Sequence, residues 1–302
     1  MDQAYHIPVL AGELIEALQV KPDGVYTDCT FGGGGHSRAI LSQLNNAGKL
    51  IAFDQDQDAR LNVPDDPRII FVPHNFRHLQ KFLRLHKIET VDGIIADLGV
   101  SSHQFDEATR GFSTRFDESL LDMRMDQRQE LTAAAIINSY TEQQLHKMFE
   151  QYGEVTNAKT LAKTIVQQRQ LVSIKSVNEF KNAVSSVVKG NPNKYFAQVF
   201  QALRITVNDE MGSLREMLQQ LPSLLKKGGR IAIITFHSIE DRMVKLFFRN
   251  GSFEETATDS LYGTKPDSPF LIITKKPILP STAEITANPR SRSAKLRVAE
   301  RK

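Results

Sequence analysis

Three titratable residues each stand directly after a short apolar run that predicts a β-strand: Asp54, Asp97 and His237. In an open sheet of parallel strands the carboxyl ends meet at one edge, and ligands bind in the crevice there. A carboxylate in that crevice can accept hydrogen bonds from ribose hydroxyls or from an amine, and a histidine there can titrate near neutral pH. The alternative is structural, because acids and histidines at strand ends also cap turns.

A run of glycines follows the first predicted strand, within the segment Asp28-Cys-Thr-Phe-Gly-Gly-Gly-Gly-His36. A glycine turn between a strand and a helix lets a ligand approach the backbone near the helix N-terminus. The dinucleotide fingerprint G-x-G-x-x-G is not met, because Gly32 and Gly34 fit but position 37 is serine. Asp54 follows Gly34 by 20 residues, about the distance at which an acid binds ribose hydroxyls. The glycines and this acid predict an adenosine-containing ligand, and without a following G-K-[ST] ATP hydrolysis is not expected.

Strand and helix patterns alternate over the first hundred residues, which predicts a parallel sheet with right-handed crossovers. The predicted strands are Val25–Asp28, Leu50–Phe53, Ile69–Val72 and Val91–Ala96, and the predicted helices run from His36 to about Leu44 and over Phe76–Ile88.

Strand patterns almost disappear between residues 104 and 208, and helix starts recur instead. These are Thr132, Asn157 and the capping-box pairs Thr141/Gln144 and Ser176/Glu179. A helical stripe over 211–225 then ends, by this prediction, at Gly228-Gly229. Beyond it we predict strands over 231–236, 270–274 and 294–299 and a helix over 239–248. The simplest organisation is one doubly wound α/β domain, residues 1–105 and 209–302, interrupted after its fourth strand by a helical insert, residues 106–208.

Composition and charge narrow the function class. Hydrophobic residues make up 40% and charged residues 24%, as in soluble globular proteins. No apolar run approaches the roughly 20 residues of a membrane helix, and the first ten residues show no signal-peptide pattern. The single cysteine, Cys29, excludes an intramolecular disulfide and a cysteine-rich zinc site, and the eight histidines show no HExxH spacing. We expect a cytoplasmic protein with no membrane partner and no catalytic metal.

The net charge of +3 is unevenly distributed along the chain. Residues 275–302 contain eight lysines or arginines and two acidic residues. A basic end on a nearly neutral body predicts an anionic partner such as nucleic acid, whereas a solvated tail is the alternative.

Several long and chemically unusual segments span nearly the whole chain. They are TFGGGGHS (30–37), DLGVSSHQF (97–105), RGFS (110–113), LDMRMD (121–126), YGE (152–154), FQALRITVNDE (200–210), GGRIAIITFHSIEDRMVK (228–245) and NPRSRSAKLRVAER (288–301). In these segments the chain resembles the bacterial small-subunit ribosomal RNA cytidine-N4 methyltransferases.

The resemblance implies a Rossmann-like methyltransferase domain that depends on S-adenosyl-L-methionine, with a doubly wound, mostly parallel sheet and a helical insert that helps to recognise RNA. The implied substrate is one cytidine in the decoding region of 16S rRNA, within the small ribosomal subunit. A homodimer is compatible with the sequence.

Carried over position by position, the cofactor contacts of the family fall on Gly34, Gly35, His36, Asp54, Phe76, Asp97 and Gln104. In this implied site Asp54 suits the ribose diol, Phe76 can lie against the adenine face, and Asp97 can hold the methionine amino group.

The implied reaction needs help from the protein, because the lone pair of cytosine N4 is delocalised into the ring and the amine is a weak nucleophile. The amine must be aligned with the methyl group, and acceptors must take its hydrogens. Amino-methyltransferases commonly carry Asp/Asn-Pro-Pro-aromatic after strand four, whereas this chain has Asp97-Leu-Gly-Val. Asp97 and His237 are our candidate catalytic residues, and whether Asp97 serves the cofactor or the target amine stays open.

The target base must leave any stack to reach the methyl group, and RNA is bound mainly through its backbone and splayed bases. We assign backbone contacts to basic residues of the tail and of the insert: Arg290, Arg292, Lys295, Arg297, Arg110, Arg115 and Arg124. Three alternative functions remain. They are a nicotinamide oxidoreductase, a non-catalytic RNA-binding assembly factor that binds S-adenosylmethionine, and a DNA amino-methyltransferase.

Overall fold

The computed structural model describes residues 8–253 and 268–302. Two compact units divide the chain: the first runs to Gly99 and resumes at Met211, and the second is Val100–Glu210. The sequence placed these limits at 105/106 and 208/209, and the functions assigned to the two segments remain predictions. Residues 1–7, which belong to the segment searched for a signal peptide, lie outside the described part of the chain.

A seven-stranded sheet lies at the centre of the first unit. Its strands are β1 (Val25–Asp28), β2 (Lys49–Phe53), β3 (Ile69–Val72), β4 (Val91–Asp97), β5 (Leu225–Thr235), β6 (Phe270–Ile272) and β7 (Lys295–Arg301). The strand order is β3-β2-β1-β4-β5-β7-β6. Strands β1 to β5 pair in parallel, and β7 is antiparallel to both β5 and β6. The winding therefore reverses between β1 and β4, and the predicted doubly wound, mostly parallel α/β fold is confirmed.

Burial explains why the central strands could be recognised in the sequence. Leu50–Phe53 in β2 and Ile231–Ile234 in β5 are each 0% exposed at all four positions. Because successive strand residues point to opposite faces, four consecutive buried residues mean that both faces of the sheet are covered. Such strands require nearly continuous apolar runs, and these runs are what the sequence displays.

The helices of the described residues are α1 (Ala11–Leu18), α2 (Gly35–Leu41), α3 (Leu79–Leu85), α4 (Ser102–Asp106), α5 (Ala133–Ser139), α6 (Glu142–Gly153), α7 (Ala158–Arg169), α8 (Val177–Val184), α9 (Pro192–Asn208), α10 (Glu210–Leu224), α11 (Ser238–Asn250) and α12 (Thr282–Ala287). None of them, within 8–253 and 268–302, combines the length and the hydropathy that a bilayer span requires.

The prediction that Gly228-Gly229 ends the helix before it is wrong. Helix α10 ends at Leu224 and β5 begins at the next residue, so both glycines lie inside the strand, where its pairing with β4 shifts register. Gly228 has a φ of 73°, and a Cβ on Gly229 would lie 2.9 Å from the carbonyl oxygen of Lys226. The glycines are therefore required by a bulge in β5 rather than by a helix end.

The helix predicted over 76–88 is shorter and begins differently. A 3-10 turn, Phe76–His78, precedes α3, and the Asn75 side chain caps this turn by accepting a hydrogen bond from the Arg77 N–H at 2.9 Å. Lys87 has a φ of 59°, so the backbone leaves the helical conformation before residue 88. The other predicted elements of this unit are present with slightly shifted ends.

The second unit is helical and has its own apolar core, contributed mainly by α5 to α9. Three predicted helix starts, Thr132, Thr141 and Ser176, cap α5, α6 and α8 with side-chain hydrogen bonds, and the last two form capping boxes. Asn157 occupies the N-cap position of α7 but makes no side-chain cap bond.

Asn208, the last residue of α9, holds the loop that contains the LDMRMD segment. Its Oδ1 accepts a hydrogen bond from the Met125 N–H at 2.7 Å, and its Nδ2 donates to the carbonyls of Met123 and Arg204 at 2.8 and 2.9 Å. The side chain is buried, so water cannot replace these bonds easily. The amide therefore fixes the loop backbone against the end of α9.

We expect Asn208→Ala to destabilise the protein by roughly 2–4 kcal/mol, because buried backbone groups of Met123 and Met125 lose their partners. Asn182→Ala is the matched control, since the exposed Asn182 amide bonds only weakly, to Asn178 at 3.2 Å. Denaturant unfolding followed by circular dichroism measures both variants. A loss of less than about 1 kcal/mol for Asn208→Ala would contradict this assignment.

Candidate active site

Three aspartates lie at the carboxyl ends of adjacent parallel strands. Asp28 ends β1, Asp97 ends β4, and Asp54 directly follows β2. Because β1 lies between β2 and β4, all three reach the same edge of the sheet, at the point where the winding reverses. The Asp28 carboxylate is close enough to raise the pKa values of both Asp54 and Asp97. The structure thus brings two predicted site residues to one edge and adds a third acid.

The glycine loop has a defined backbone conformation. The Gly34 N–H donates to the Phe31 carbonyl at 2.7 Å, and Gly34 has a φ of 74°. A Cβ on Gly34 would lie 2.7 Å from the Phe31 ring, and one on Gly35 would lie 2.9 Å from Pro8. These two predicted cofactor residues must therefore lack side chains for the loop to close.

Side chains also hold the loop from outside. Asn62 Nδ2 donates to the Gly32 carbonyl at 3.1 Å, and the Arg38 guanidinium donates to the Gly33 carbonyl. A Cβ at Gly33, by contrast, would meet no atom of the described residues within 4 Å. The loop is therefore fixed in one conformation and has open space at its centre.

Asp54 links the glycine loop to the end of β2. Its Oδ2 accepts a hydrogen bond from the Gly32 N–H at 2.7 Å, and its Oδ1 accepts one from the Asp56 N–H at 2.8 Å. Burial raises the pKa of Asp54 to about 7, although these two bonds oppose the rise. Each carboxylate oxygen can accept a second hydrogen bond, so the group retains capacity for a diol.

Asp97 has a buried oxygen without a hydrogen-bond partner among the described residues, Oδ1. The backbone N–H of Asp97 donates to Thr30 Oγ1 at 2.6 Å, which fixes the residue beside the glycine loop. Burial raises the pKa of Asp97 to about 6; His36 opposes the rise, and the carboxylates of Asp28 and Glu240 add to it. The side chain as a whole is still 26% exposed, through atoms other than Oδ1, so a ligand can reach the carboxylate group.

His36 lies between the N-terminal segment and Asp97. Its Nε2 is 2.9 Å from the Val9 carbonyl oxygen, which can only accept, so Nε2 carries the proton. The other ring nitrogen, Nδ1, lies 3.8 Å from Asp97 Oδ2. The His36 side chain thus contacts other residues of the protein through both ring nitrogens. A positive charge on its ring would favour the ionised form of Asp97.

His237 is at the N-terminus of α11 and is tied to Glu240. Its Nδ1 accepts a hydrogen bond from the Glu240 N–H at 3.3 Å, and its Nε2 lies 3.1 Å from Glu240 Oε1. The two side chains are 7% and 3% exposed. These contacts give His237 a helix-capping role, and a catalytic role remains a prediction.

Phe76 and Gln104, the remaining predicted cofactor residues, belong to different units. Phe76 is half-buried and opens the 3-10 turn after β3. Gln104 lies in the second unit, where its side chain accepts a hydrogen bond from the Ser101 N–H at 3.1 Å in the capping box of α4.

Sequence reasoning missed a role for Asp28. This carboxylate is buried, and it accepts hydrogen bonds from Ser37 Oγ at 2.7 Å and from the Thr30 N–H at 3.0 Å. It therefore binds one residue before the glycines and one residue after them. The signal was available, because Asp28 ends a predicted strand just as Asp54 and Asp97 follow theirs.

A model of the MraW methylase family matches residues 3–302 of this chain. A curated relative from Bacteroides thetaiotaomicron, named Ribosomal RNA small subunit methyltransferase H, is 51% identical and covers 99% of this chain and 98% of its own length. The protein of the same name from Flavobacterium johnsoniae is 50% identical and covers 98% of each chain. The chain belongs to the MraW methylase family.

A solved structure, an rRNA methylase from Streptococcus thermophilus, is also similar, with a TM-score of 0.40 and 12% identity over 96% of this chain and 93% of that one. As a member of the MraW methylase family, the chain is a methyltransferase, and its cofactor is S-adenosyl-L-methionine. The predicted enzyme class is confirmed, and the oxidoreductase alternative is excluded.

The residues at the edge of the sheet fit this cofactor. S-adenosylmethionine carries a positively charged sulfonium, an ammonium group and a ribose diol. The unpartnered Asp97 Oδ1, with Asp28 and Glu240 nearby, provides a negative site for a cation. Asp54 provides acceptors for the diol.

Two arginines expected to bind RNA are buried within the MraW-family chain. Arg110 donates to the carbonyls of Arg124 and Met125 at 3.0 and 3.1 Å. Arg297 donates to both oxygens of Asp241 at 2.6 and 3.2 Å. Both side chains hold the protein's own backbone or carboxylate, so the expectation that they contact RNA is wrong for this conformation.

The other basic candidates are more accessible. Arg115 and Arg124 each form an ion pair with a nearby aspartate, at 2.9 and 2.8 Å. Arg290 and Arg292 are exposed, and Lys295 is partly exposed, with its Nζ 3.6 Å from an Asp241 oxygen. The exposed pair in the tail is therefore the best-placed candidate for phosphate contacts.

We expect Asp97→Asn to stabilise the ligand-free protein on the order of 1–2 kcal/mol above pH 6. The pKa of Asp97 is about 6 in the fold and 3.8 in a model compound. Ionisation of Asp97 therefore opposes folding. This cost is absent below about pH 4 and fully present above pH 6. Because asparagine does not titrate, the difference in unfolding free energy between Asp97→Asn and the unaltered protein should grow between these pH values.

Urea unfolding at pH 4, 6 and 8 measures this difference. Asp92→Asn is the control of opposite sign, because hydrogen bonds from Lys226 and the Val25 N–H lower the pKa of Asp92 although burial opposes them. That variant should be destabilised at neutral pH, and the loss should shrink as the pH falls. A stability gap for Asp97→Asn that does not change with pH would contradict the proposed cost of its charge.

Proposed function

We propose that this methyltransferase modifies the RNA of the small ribosomal subunit, at N4 of one cytidine in the decoding region of 16S rRNA. The name shared by the relatives, Ribosomal RNA small subunit methyltransferase H, supports the choice of RNA. The sequence resemblance supports the base and the atom. The structural observation that carries the proposed methyl-transfer site is Asp97 Oδ1, which has no hydrogen-bond partner among the described residues and lies beside the glycine loop, at the edge where the winding reverses between β1 and β4.

Four groups of residues in the first unit would hold the cofactor, and Asp97 is one of them. The backbone of Gly34, Gly35 and His36 forms the loop, Asp54 accepts from the ribose hydroxyls, and Phe76 lies against the adenine. A role for Gln104, which is in the second unit, stays a prediction from the sequence resemblance. Bound S-adenosylmethionine supplies an electrophilic methyl group on its sulfonium.

We assign Asp97 to the ammonium group of the cofactor rather than to the target amine. Asp28 and Glu240 surround Asp97 with negative charge, since each raises its pKa. A negative potential stabilises a cation much more than a neutral cytosine amine. With a pKa of about 6, Asp97 is mostly ionised at neutral pH, as this contact requires.

His237 was expected to be catalytic, and we propose a different role for it. Its Nδ1 accepts a hydrogen bond from the Glu240 N–H at 3.3 Å, and the Glu240 carboxylate raises the pKa of Asp97. We propose that His237 positions Glu240. This role explains its contacts and does not require His237 to touch RNA.

The reaction is tested by transfer from isotopically labelled S-adenosylmethionine to small ribosomal subunits that lack the modification, followed by nucleoside mass spectrometry. We expect labelled N4-methylcytidine from the subunits and none from naked DNA. Label in another nucleoside would overturn the proposed base. No label, with cofactor binding intact, would favour an assembly factor or a different RNA state as substrate.

We expect Asp97→Ala to weaken S-adenosylmethionine binding at least tenfold, because a buried charge-assisted contact to the ammonium is lost. Isothermal titration measures binding, and single-turnover transfer measures the methyl step. Glu107→Ala is the control, since Glu107 is a carboxylate engaged with its own loop through Thr109. Unchanged binding with a large loss of transfer would instead assign Asp97 to the target amine.

We expect reversal of charge at Arg290 and Arg292, both to Glu, to weaken subunit RNA binding and to reduce the magnitude of its salt slope by about 1–2, because two phosphate contacts disappear. The double variant Arg84→Glu, Lys245→Glu makes the same change in net charge at exposed positions outside the tail. Filter binding over a salt series measures both. Equal slopes in the two variants would refute a specific contact by the tail.

A further inference from the structure

One face of α10 carries a row of polar side chains that bond to the segment containing Phe76. They recur every three or four residues, as one face of a helix requires: Ser213, Glu216, Gln220 and Ser223. Each of them has a hydrogen-bond partner between Asn75 and Gln80, on either side of Phe76, and Gln220 and Ser223 also donate to carbonyls within α10. This face of α10 therefore forms hydrogen bonds to residues 75–80 along its length.

Gln220 makes the most complete contact. Its Oε1 accepts a hydrogen bond from the Gln80 N–H at 2.8 Å, and its Nε2 donates to the Arg77 carbonyl at 2.8 Å. The Gln80 N–H is in the first turn of α3, where backbone N–H groups have no partner inside the helix. A single side-chain amide thus satisfies backbone groups immediately after Phe76.

Glu216 adds an ion pair with Arg77, with N–O distances of 2.8 and 3.2 Å. The side chains of Arg77 and Glu216 are 23% and 48% exposed, and exposed pairs of this kind contribute little to stability. The backbone bonds of Gln220 are therefore the better candidate for the main restraint on this side of Phe76.

Asn75 provides the restraint on the other side. Its Oδ1 caps the turn at the Arg77 N–H, and its Nδ2 donates to Gln55 Oε1 at 2.8 Å and to Ser213 Oγ at 3.2 Å. Gln55 is the residue directly after Asp54. Asn75 thus joins the segment proposed to contact adenine both to the segment proposed to contact ribose and to α10.

We propose that α10 positions Phe76 for the adenosine half of the cofactor, with Gln220 and Asn75 as positioning residues that do not touch the cofactor themselves. This inference rests on the proposed contact between Phe76 and adenine. A ring that is held in place before binding avoids the entropy cost of ordering it, and that saving appears as affinity. Loss of a restraint should therefore weaken cofactor binding without changing the methyl-transfer step.

The first test is Gln220→Ala, measured by isothermal titration with S-adenosylmethionine. We expect Kd to rise about three- to tenfold, since ordering one side chain and its turn costs of the order of one kcal/mol. KM for the cofactor should rise in parallel, and kcat should stay unchanged. Gln219→Ala is the matched control, because this neighbouring glutamine is exposed and, among the described residues, its side chain makes no hydrogen bond to residues 75–80. Equal Kd values for Gln220→Ala and the unaltered protein would overturn the inference.

A double-mutant cycle with Phe76→Ala separates positioning from a general structural effect. If Gln220 acts through Phe76, Gln220→Ala should change Kd little when Phe76 is already alanine. The same fold-change in both backgrounds would contradict positioning. Should Gln220→Ala fail to fold, Gln220→Glu keeps the acceptor for Gln80 but places a carboxylate oxygen against the Arg77 carbonyl, and it should weaken binding in the same way.

The cycle also separates this inference from the proposed function. If Phe76→Ala weakens cofactor binding and Gln220→Ala does not, the proposed cofactor site is supported and the proposed role of α10 is refuted. No effect of Phe76→Ala removes Phe76 from the adenine contact, and the inference falls with it. Methyl transfer to the small subunit, measured separately, tests the reaction and not this restraint.

Discussion

The proposed cofactor site depends on a carboxylate oxygen that has no hydrogen-bond partner among the described residues. Asp97 Oδ1 is buried, and an unpaired buried charge opposes folding. Two further carboxylates, Asp28 and Glu240, increase this cost, and His36 offsets only part of it. A chain that needed only stability would place a neutral side chain here. The same negative potential is what a cationic ligand requires, so the instability and the binding capacity have one physical origin.

Such a site persists only if the surrounding structure is rigid enough to hold it. The strands that carry the acids are buried on both faces, and they fix the positions of the carboxylates. The loop between β1 and α2 is held by Asp28 and Asp54 from the sheet and by Arg38 and Asn62 from outside. Groups that would otherwise need ordering on binding are thus already ordered in the ligand-free fold. Stability from the sheet core compensates for instability at its edge.

The sequence predicted those elements whose signal is local. Buried strands appear as apolar runs, and capping boxes such as the one at Thr141 appear as residue pairs three apart. Gly228 and Gly229 were misassigned because a glycine pair signals a positive φ or a close approach, and both a helix end and a strand bulge need these. Only the pairing with β4 decides between the two. The strand ends placed Asp54 and Asp97 at one edge, since that follows from parallel topology alone.

The direction in which a side chain points could not be predicted from the sequence, and the basic residues show why. Arg292 and Arg297 lie five residues apart in the same basic tail, so their contributions to the charge count are equal. Arg297 is in β7 and is buried against Asp241, whereas Arg292 precedes the strand and is exposed. A guanidinium that already binds a buried carboxylate could contact a phosphate only by leaving that carboxylate unpaired, which costs several kcal/mol. If the tail binds RNA as we propose, the attraction must therefore come from fewer residues than its composition suggests.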